Sequence, residues 1–347
     1  MRESAAPQPG LAGRLGNFAL LPRIPAAQPW VWALVGIFVL WVLLSLGSRQ
    51  ISLSSLTGIV GSAGLLTVVS IGQMLVITSG EGAVDLSIPS VMTLSGFVVT
   101  SLVNGEDSRL IFGLIAALVL GLVVGTANAL IVNRFRIPPI VATLAVGYIL
   151  TTATLILNRG FQTYAISPML ATFSSGRLFG TPTIFILALI LTVAASYLLH
   201  GTVYGKSLSA VGQNRQSAYL AGVGVAATSQ IAYVLSSVLA AIGGMLLSGR
   251  VSGAFLEMGN PYTLQSIGAV VVGGTSILGG RATALGTLLG SIFLVMIVTT
   301  MQVLRLAGGL QDVAQGILII AVLAIAPLRS MTPKPKFLAA ANKSAPR

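Results

Sequence analysis

Seven acidic side chains carry most of the proton-transfer and metal-binding potential of this chain: Glu3, Glu81, Asp85, Glu106, Asp107, Glu257 and Asp312. No two of them sit at helical spacing inside one apolar run, so paired-carboxylate hydrolysis and a proton relay have no foundation in the sequence. A single histidine, His200, and the absence of cysteine rule out a multi-histidine or thiolate metal centre. They also leave little scope for a Ser-His nucleophile. Gly201-Thr-Val-Tyr-Gly205-Lys206-Ser207 has the look of a phosphate loop, but three residues separate its glycines where four are needed. It also follows an apolar run, so the strand that would aim its amides at a phosphate is missing. The expectation is a chain with no catalytic residues, no metal site and no nucleotide site of its own.

Asp85, with Ser87 behind it, reads first as an N-cap for the helix that follows, and second as a solute contact. Asp312 opens an apolar run, where a carboxylate is stabilised by the helix dipole. Uncharged polar residues inside apolar runs are Gln73, Thr78, Asn128, Thr143, Thr151, Gln230, Gln265 and Gln302. Each serves either as a hydrogen bond between helices or as part of a polar route. Gln73, Thr78, Asp85, Ser87, Asn128, Gln265 and Thr275 are the candidates for that route.

The elements that must position these residues are membrane helices. Hydrophobic residues make up 55% of the chain and charged ones 7%, too few charges to cover a water-soluble core. About twenty apolar residues cross a bilayer. By that rule spans are expected at 30–46, 58–78, 86–103, 110–132, 139–157, 183–199, 223–248, 264–278, 282–304 and 310–326. The fold class is therefore an all-α integral membrane protein of about ten transmembrane helices, with 30–328 as the membrane domain. Residues 1–29 read as a disordered tail and 329–347 as a basic one. The net charge of +12 comes from Lys and Arg scattered in loops and tails, which fits one membrane face and membrane lipid, not nucleic acid. With the N-terminus in the cytoplasm, the loop 200–222 and the C-terminal tail lie there too. Thirteen of the nineteen Lys and Arg then fall inside: positions 2, 14, 23, 134, 136, 206, 215, 281, 329, 334, 336, 343 and 347.

Two stretches depart from plain spans. Ile71–Ser90 and Ile267–Gly290 each begin Ile-Gly, break at a glycine pair (Gly80 and Gly82; Gly273 and Gly274), and resume as a helix. Ser70-Ile71-Gly72 and Ser266-Ile267-Gly268 match in three letters, the kind of trace an internal duplication leaves. Paired interrupted segments mark a transport route in duplicated transporters; the plainer alternative is that glycines let helices pack closely. The loop 200–222 lies between two apolar runs, carries Lys206 and Arg215 and no acid, and winds into a helix over Ser207–Leu220. It reads as the surface on which a cytoplasmic partner acts.

Three blocks, GQMLVITSGEGAVDLSIPSVMTLSG (72–96), GKSLSAVGQNRQSAYLAGV (205–223) and IGAVVVGGTSILGGRATALGTLLG (267–290), together with LQDVAQGILIIAVL (310–323), resemble one family. It is that of the membrane permease subunits of ribose/xylose/arabinose/galactose-type ABC importers, and the likeness spans roughly 50–330. The resemblance implies a permease dimer, with a second copy or a paralogue, in a bacterial inner membrane. It implies an ABC ATPase subunit that holds ATP and Mg, and an extracytoplasmic solute-binding protein that delivers a small polar solute, foremost a monosaccharide. The middle block resembles the family's ATPase-facing loop at Gly205, Lys206, Gly212, Asn214, Arg215, Ala218 and Gly222. It departs from the family at Gln216-Ser217, where Glu-Ala is common, and the first block departs at Glu81 and Pro89. The rival readings are a secondary transporter or channel acting alone and, more weakly, an intramembrane enzyme.

The Lys and Arg asymmetry generates a direct test. A cysteine placed at Ser209, in a chain that has none, is expected to resist an impermeant thiol reagent in intact cells and to react once they are permeabilised. Labelling in intact cells would reverse the orientation.

Overall fold

The computed structural model describes residues 30–48, 53–160, 165–307, 309–311, 313–317 and 320. The expected tails 1–29 and 329–347, Asp312 and most of the span 310–326 lie outside them. Nine of the ten expected spans are helices: α1 Val31–Ser48, α2 Leu53–Thr78, α3 Ile88–Val103, α4 Leu110–Arg134, α5 Pro139–Gly160, α7 Thr183–Gly201, α10 Val225–Arg250, α11 Tyr262–Val272 and α12 Ala284–Val303. Among the described residues six helices are long and apolar enough to cross a membrane, and α1, α3 and α11 are shorter apolar helices. The chain is thus a mostly helical, multi-pass membrane protein. Between α5 and α7 lie α6 (Pro168–Ser175) and a two-stranded hairpin, β1 Arg177–Leu178 and β2 Thr181–Pro182.

Helix α11 has eleven residues, about 16 Å of rise, half of a hydrocarbon core. The segment 251–261 before it supplies the rest of the descent as irregular backbone. Its depth is fixed by α3: the Gly259 N–H donates to Thr93 Oγ1 at 3.1 Å, and a Cβ on Gly259 would lie 2.1 Å from the Pro89 carbonyl oxygen. Pro89 is about 21 Å along α3 from Val103 at its far end.

Helices α2 and α10 form the centre. α10 runs along α2, α3 and α4, and most of both α2 and α10 is enclosed by protein. α4, α5 and α7 lie outside them and expose large side chains such as Phe112, Ile149 and Val193. Lipid tails are as apolar as Leu, so the hydrophobic effect gives no reason for these helices to associate; close packing must. The sequence supplies it through Gly121 and Gly125, one turn apart on α4. A Cβ on either would lie 2.5 Å from a Cα of α10, Val238 for the first and Val234 for the second. The two backbones therefore touch, and dispersion contacts accumulate along the whole crossing.

The basic loop is not one helix over Ser207–Leu220. It is two, α8 (Val203–Gln213) and α9 (Arg215–Leu220), parted at Asn214, whose backbone is extended at φ −160° and ψ 106°. The reason is local: Asn214 Oδ1 accepts the Ser217 N–H at 2.8 Å and caps α9. A side chain that competes for backbone donors suits a cap better than a helix interior.

Gly125→Leu should force α4 away from α10, and an overpacked contact of this kind costs about 1–3 kcal/mol. The expected result is a lower thermal unfolding midpoint in detergent. Gly58→Ala, where a Cβ meets nothing within 4 Å, should cause no such fall.

Candidate functional site

Three pieces of irregular backbone organise the polar chemistry of the molecule. The first break, 79–87, parts α2 from α3; the second, 273–283, parts α11 from α12; the third is the descending segment 251–261.

The first break is pinned from within by Asp85, which is 2% exposed. Its Oδ1 accepts the Ser87 N–H at 3.0 Å and the Ser87 hydroxyl at 2.6 Å, and its Oδ2 accepts the Ser236 hydroxyl of α10 at 2.8 Å. Asn128 of α4 donates to Ser87 Oγ at 2.8 Å, and Gln73 of α2 accepts the Asp85 N–H at 3.3 Å. Thr143 of α5 accepts the Leu86 N–H at 3.0 Å, and its single hydroxyl hydrogen is within reach of Pro139 O at 2.9 Å or Val84 O at 3.1 Å. Four of the seven residues assigned to a polar route, Gln73, Asp85, Ser87 and Asn128, thus meet in one cluster. It is sealed, and it holds the break in shape. Ser87 occupies the N-cap position of α3 but its side chain makes no cap bond, being turned to Asp85 instead. Asp85 therefore acts one step earlier than a cap, as an acceptor for the turn itself.

The other three candidates lie apart from the cluster. Thr78 donates back to Met74 O within α2. Thr275 Oγ1 accepts the Thr283 N–H at 3.4 Å across the second break, and Gln265 of α11 donates to Gln315 at 3.4 Å.

Both breaks converge on the end of α8. The Gly280 N–H donates to Thr78 O at 3.0 Å, joining the second break to the end of α2. Gly80 and Gly279 have φ of +83° and +88°, which L side chains rarely adopt. A Cβ on Gly80 would lie 2.8 Å from Gly212 O, and one on Gly212 would lie 1.9 Å from Thr78 O. Gln213 Nε2 reaches Gly280 O at 3.5 Å. The three sequence blocks are therefore one junction in space.

Arg215 adds a second tie. Its guanidinium donates to Glu81 Oε2 at 2.9 Å and to Asn133 Oδ1, at the end of α4, at 3.0 Å. Glu81 is one of the two residues at which the first block departs from the pattern of the family it resembles, and it meets Arg215 of the second. Beneath α9, Ala218 packs with Val211 and Val225, while Gly222 turns the chain at φ +81°. Gly205 fits against Leu198 and Leu199 carbonyls, where a Cβ would lie 2.2 and 2.3 Å away. Tyr204 donates to Thr228 O at 3.4 Å, and burial pushes its phenol above the usual range. Lys206 stays at the surface of α8.

A cavity of about 410 Å³ lies between α3, α5 and the descending segment. Ser90, Thr93, Tyr148, Thr151, Glu257 and Asn260 are among its polar lining. The sequence offered Thr151 as one polar residue among several and Glu257 as one of seven acids. That they share a cavity escaped notice because no local pattern joins positions 90, 151 and 257. Among the described residues no cluster of His, Asp or Glu has the makings of a metal site.

The family described as the branched-chain amino acid transport system / permease component matches residues 55–323. The ribose import permease protein of Escherichia coli (strain K12) is 31% identical over 296 residues, covering 83% of this chain and 90% of that protein. The autoinducer 2 import system permease protein of Yersinia pseudotuberculosis serotype O:1b (strain IP 31758) is 32% identical, covering 84% of this chain and 82% of that one. No solved structure matches. The chain belongs to this permease family, as the three blocks led one to expect.

The Glu81–Arg215 pair separates two roles for Arg215. The two side chains are 59% and 32% exposed, so the pair contributes at most about 1 kcal/mol to stability and the fold should survive its loss. Arg215→Glu alone should lower ATP-coupled uptake by the assembled importer. Glu81→Arg in the same chain should restore it if Arg215 works as an internal tie. Failure of the swap to rescue would assign Arg215 to a partner's surface instead.

Proposed function

We propose that this permease is the membrane subunit of an ATP-driven importer that moves a small polar solute, foremost a monosaccharide, into the cytoplasm by alternating access. The observation that carries the reading is the convergence of both interrupted segments on Gly212 of α8. A push on α8 is transmitted at once to the two breaks, through backbone contacts that have no side chain to yield. A route through the membrane can then be opened and closed by exchanging two packings of the same helices.

In this reading α8 and α9 face the cytoplasm, both termini lie there, and the membrane is the bacterial inner membrane. An ABC ATPase subunit docks on α8–α9 and holds ATP and Mg; an extracytoplasmic binding protein delivers the solute to the opposite face; a second permease copy or a paralogue completes the pathway. One observation bears on the source of energy. Asp85 is enclosed and committed to three hydrogen bonds that shape a turn, so it is not available to bind and release an ion during transport. The names of the relatives, ribose and autoinducer 2 import permeases, favour a sugar-like solute over the amino acid in the family's description.

Purified permease in liposomes should be inactive under a proton or sodium gradient. Uptake from a panel of monosaccharides beginning with ribose should appear when the ATPase, the binding protein and internal ATP are supplied together. Gradient-driven accumulation by this chain alone would promote the stand-alone transporter in its place.

A further inference from the structure

The cavity between α3, α5 and segment 251–261 has a chemistry the sealed Asp85 cluster lacks. Segment 251–261 is irregular, yet it packs against the deep end of α3: Gly259 on Pro89 and Thr93, and Met258 beside Gly96. Non-helical backbone at that depth is stable only where it is covered by protein or lines a water-filled space. Here part of it is uncovered. Glu257 and Asn260 are exposed, and Glu257 holds a φ of +66°, unusual for a side-chain-bearing residue. A carboxylate facing lipid at this depth would be unstable, so water must reach it.

The rest of the lining agrees. Thr151 is exposed on α5 and its hydroxyl lies 3.1 Å from Ser90 Oγ of α3. Thr151 also donates to Gly147 O at 3.0 Å. Glu257 is the one charged residue among the described residues of the lining, and no Lys or Arg faces it there. About 410 Å³ is within the range of small-molecule sites, roughly 300–1,000 Å³. An unbalanced carboxylate repels anions. Hydroxyls and an amide, by contrast, exchange hydrogen bonds with a neutral polyol about as well as with water.

We propose that this groove is a water-filled stretch of the solute route, in which Glu257 rejects anions while Ser90, Thr151 and Asn260 take a neutral, hydroxyl-bearing solute. The proposal rests on the permease reading for its solute, but not for its water or its charge selectivity. It explains how a member of a family described by amino acid transport would pass sugars and turn back carboxylate-bearing compounds.

The absence of native cysteine makes the test clean. Thr151→Cys in the purified full chain should react with small water-soluble thiol reagents, whereas Val193→Cys on the outer face of α7 should react far more slowly. Corrected for reactivity with free thiol, a cationic reagent should modify Thr151→Cys about fivefold faster than an anionic one, as expected for a carboxylate within a Debye length. Glu257→Gln should bring that ratio close to one. An unreactive Thr151→Cys, or a ratio unmoved by Glu257→Gln, would overturn the proposal. These labelling arms need neither ATPase nor uptake, so they can fail while ATP-driven transport stands, and succeed where it fails. In the assembled importer, a bulky thiol adduct at Thr151→Cys should abolish uptake of the monosaccharide found by reconstitution and leave basal ATP hydrolysis intact. Undiminished uptake after complete modification would take the groove off the route.

Discussion

Backbone that leaves the helix inside a bilayer must find a partner for each N–H and C=O it frees, because no lipid will supply one. Among the described residues the chain breaks its helices at three such places, and the rest of the structure follows from how those breaks are satisfied. In the first, Gln73, Asp85 and Thr143 accept the N–H groups of Asp85, Ser87 and Leu86, while Ala83 donates to Gly80 O. In the second, Ser276 donates to Arg281 O, Gly280 to Thr78 O, and Thr283 to Thr275. In the third, Gly259 donates to Thr93. The partners come from α2, α3 and α5, so those helices are fixed relative to the breaks. Asp85 contributes the most, since one carboxylate accepts several bonds that a neutral side chain would have to divide.

The junction at Gly80, Gly212 and Gly279 uses the same economy in another form. Backbone packed on backbone leaves no compliant atoms, so a displacement of α8 cannot be absorbed by rotamer changes. It must pass to both breaks or be resisted by them. Close packing of this kind is what converts a small shift at a docking surface into an exchange of discrete arrangements. The Glu81–Arg215 pair sits at the solvent edge of the junction, where it is weak enough to open. Mechanical stiffness therefore lies in the glycines and adjustability in the charges.

Much of this was legible from residues in sequence. Hydropathy located eight helices within about five residues of their ends, because a twenty-residue apolar run in water-poor surroundings has hardly any alternative to a helix. The expected span 264–278 instead stops as a helix at Val272 and continues as irregular backbone. The two glycine-broken segments were visible as interruptions of that pattern. The basic loop was visible by its charge, though its division at Asn214 was not. A single side-chain-to-backbone bond decided it, and helix propensity integrates over many residues and misses one cap. Of the candidate route residues, Gln73, Asp85, Ser87 and Asn128 meet in one enclosed cluster, while Thr78, Gln265 and Thr275 have partners elsewhere.

Composition and order alone determined the class of the molecule: a helical membrane protein with a basic loop and two broken segments. Each of those properties is local, set by runs of residues whose solvation does not depend on distant neighbours. Only the tertiary structure decided that Gly80, Gly212 and Gly279 share one contact, that Asp85 is an internal acceptor enclosed by α10, and that Ser90, Thr151 and Glu257 line one groove. Those facts depend on which helix faces lie against each other. The pairing of faces is settled by close fit between backbones, a property of two surfaces that neither segment carries by itself.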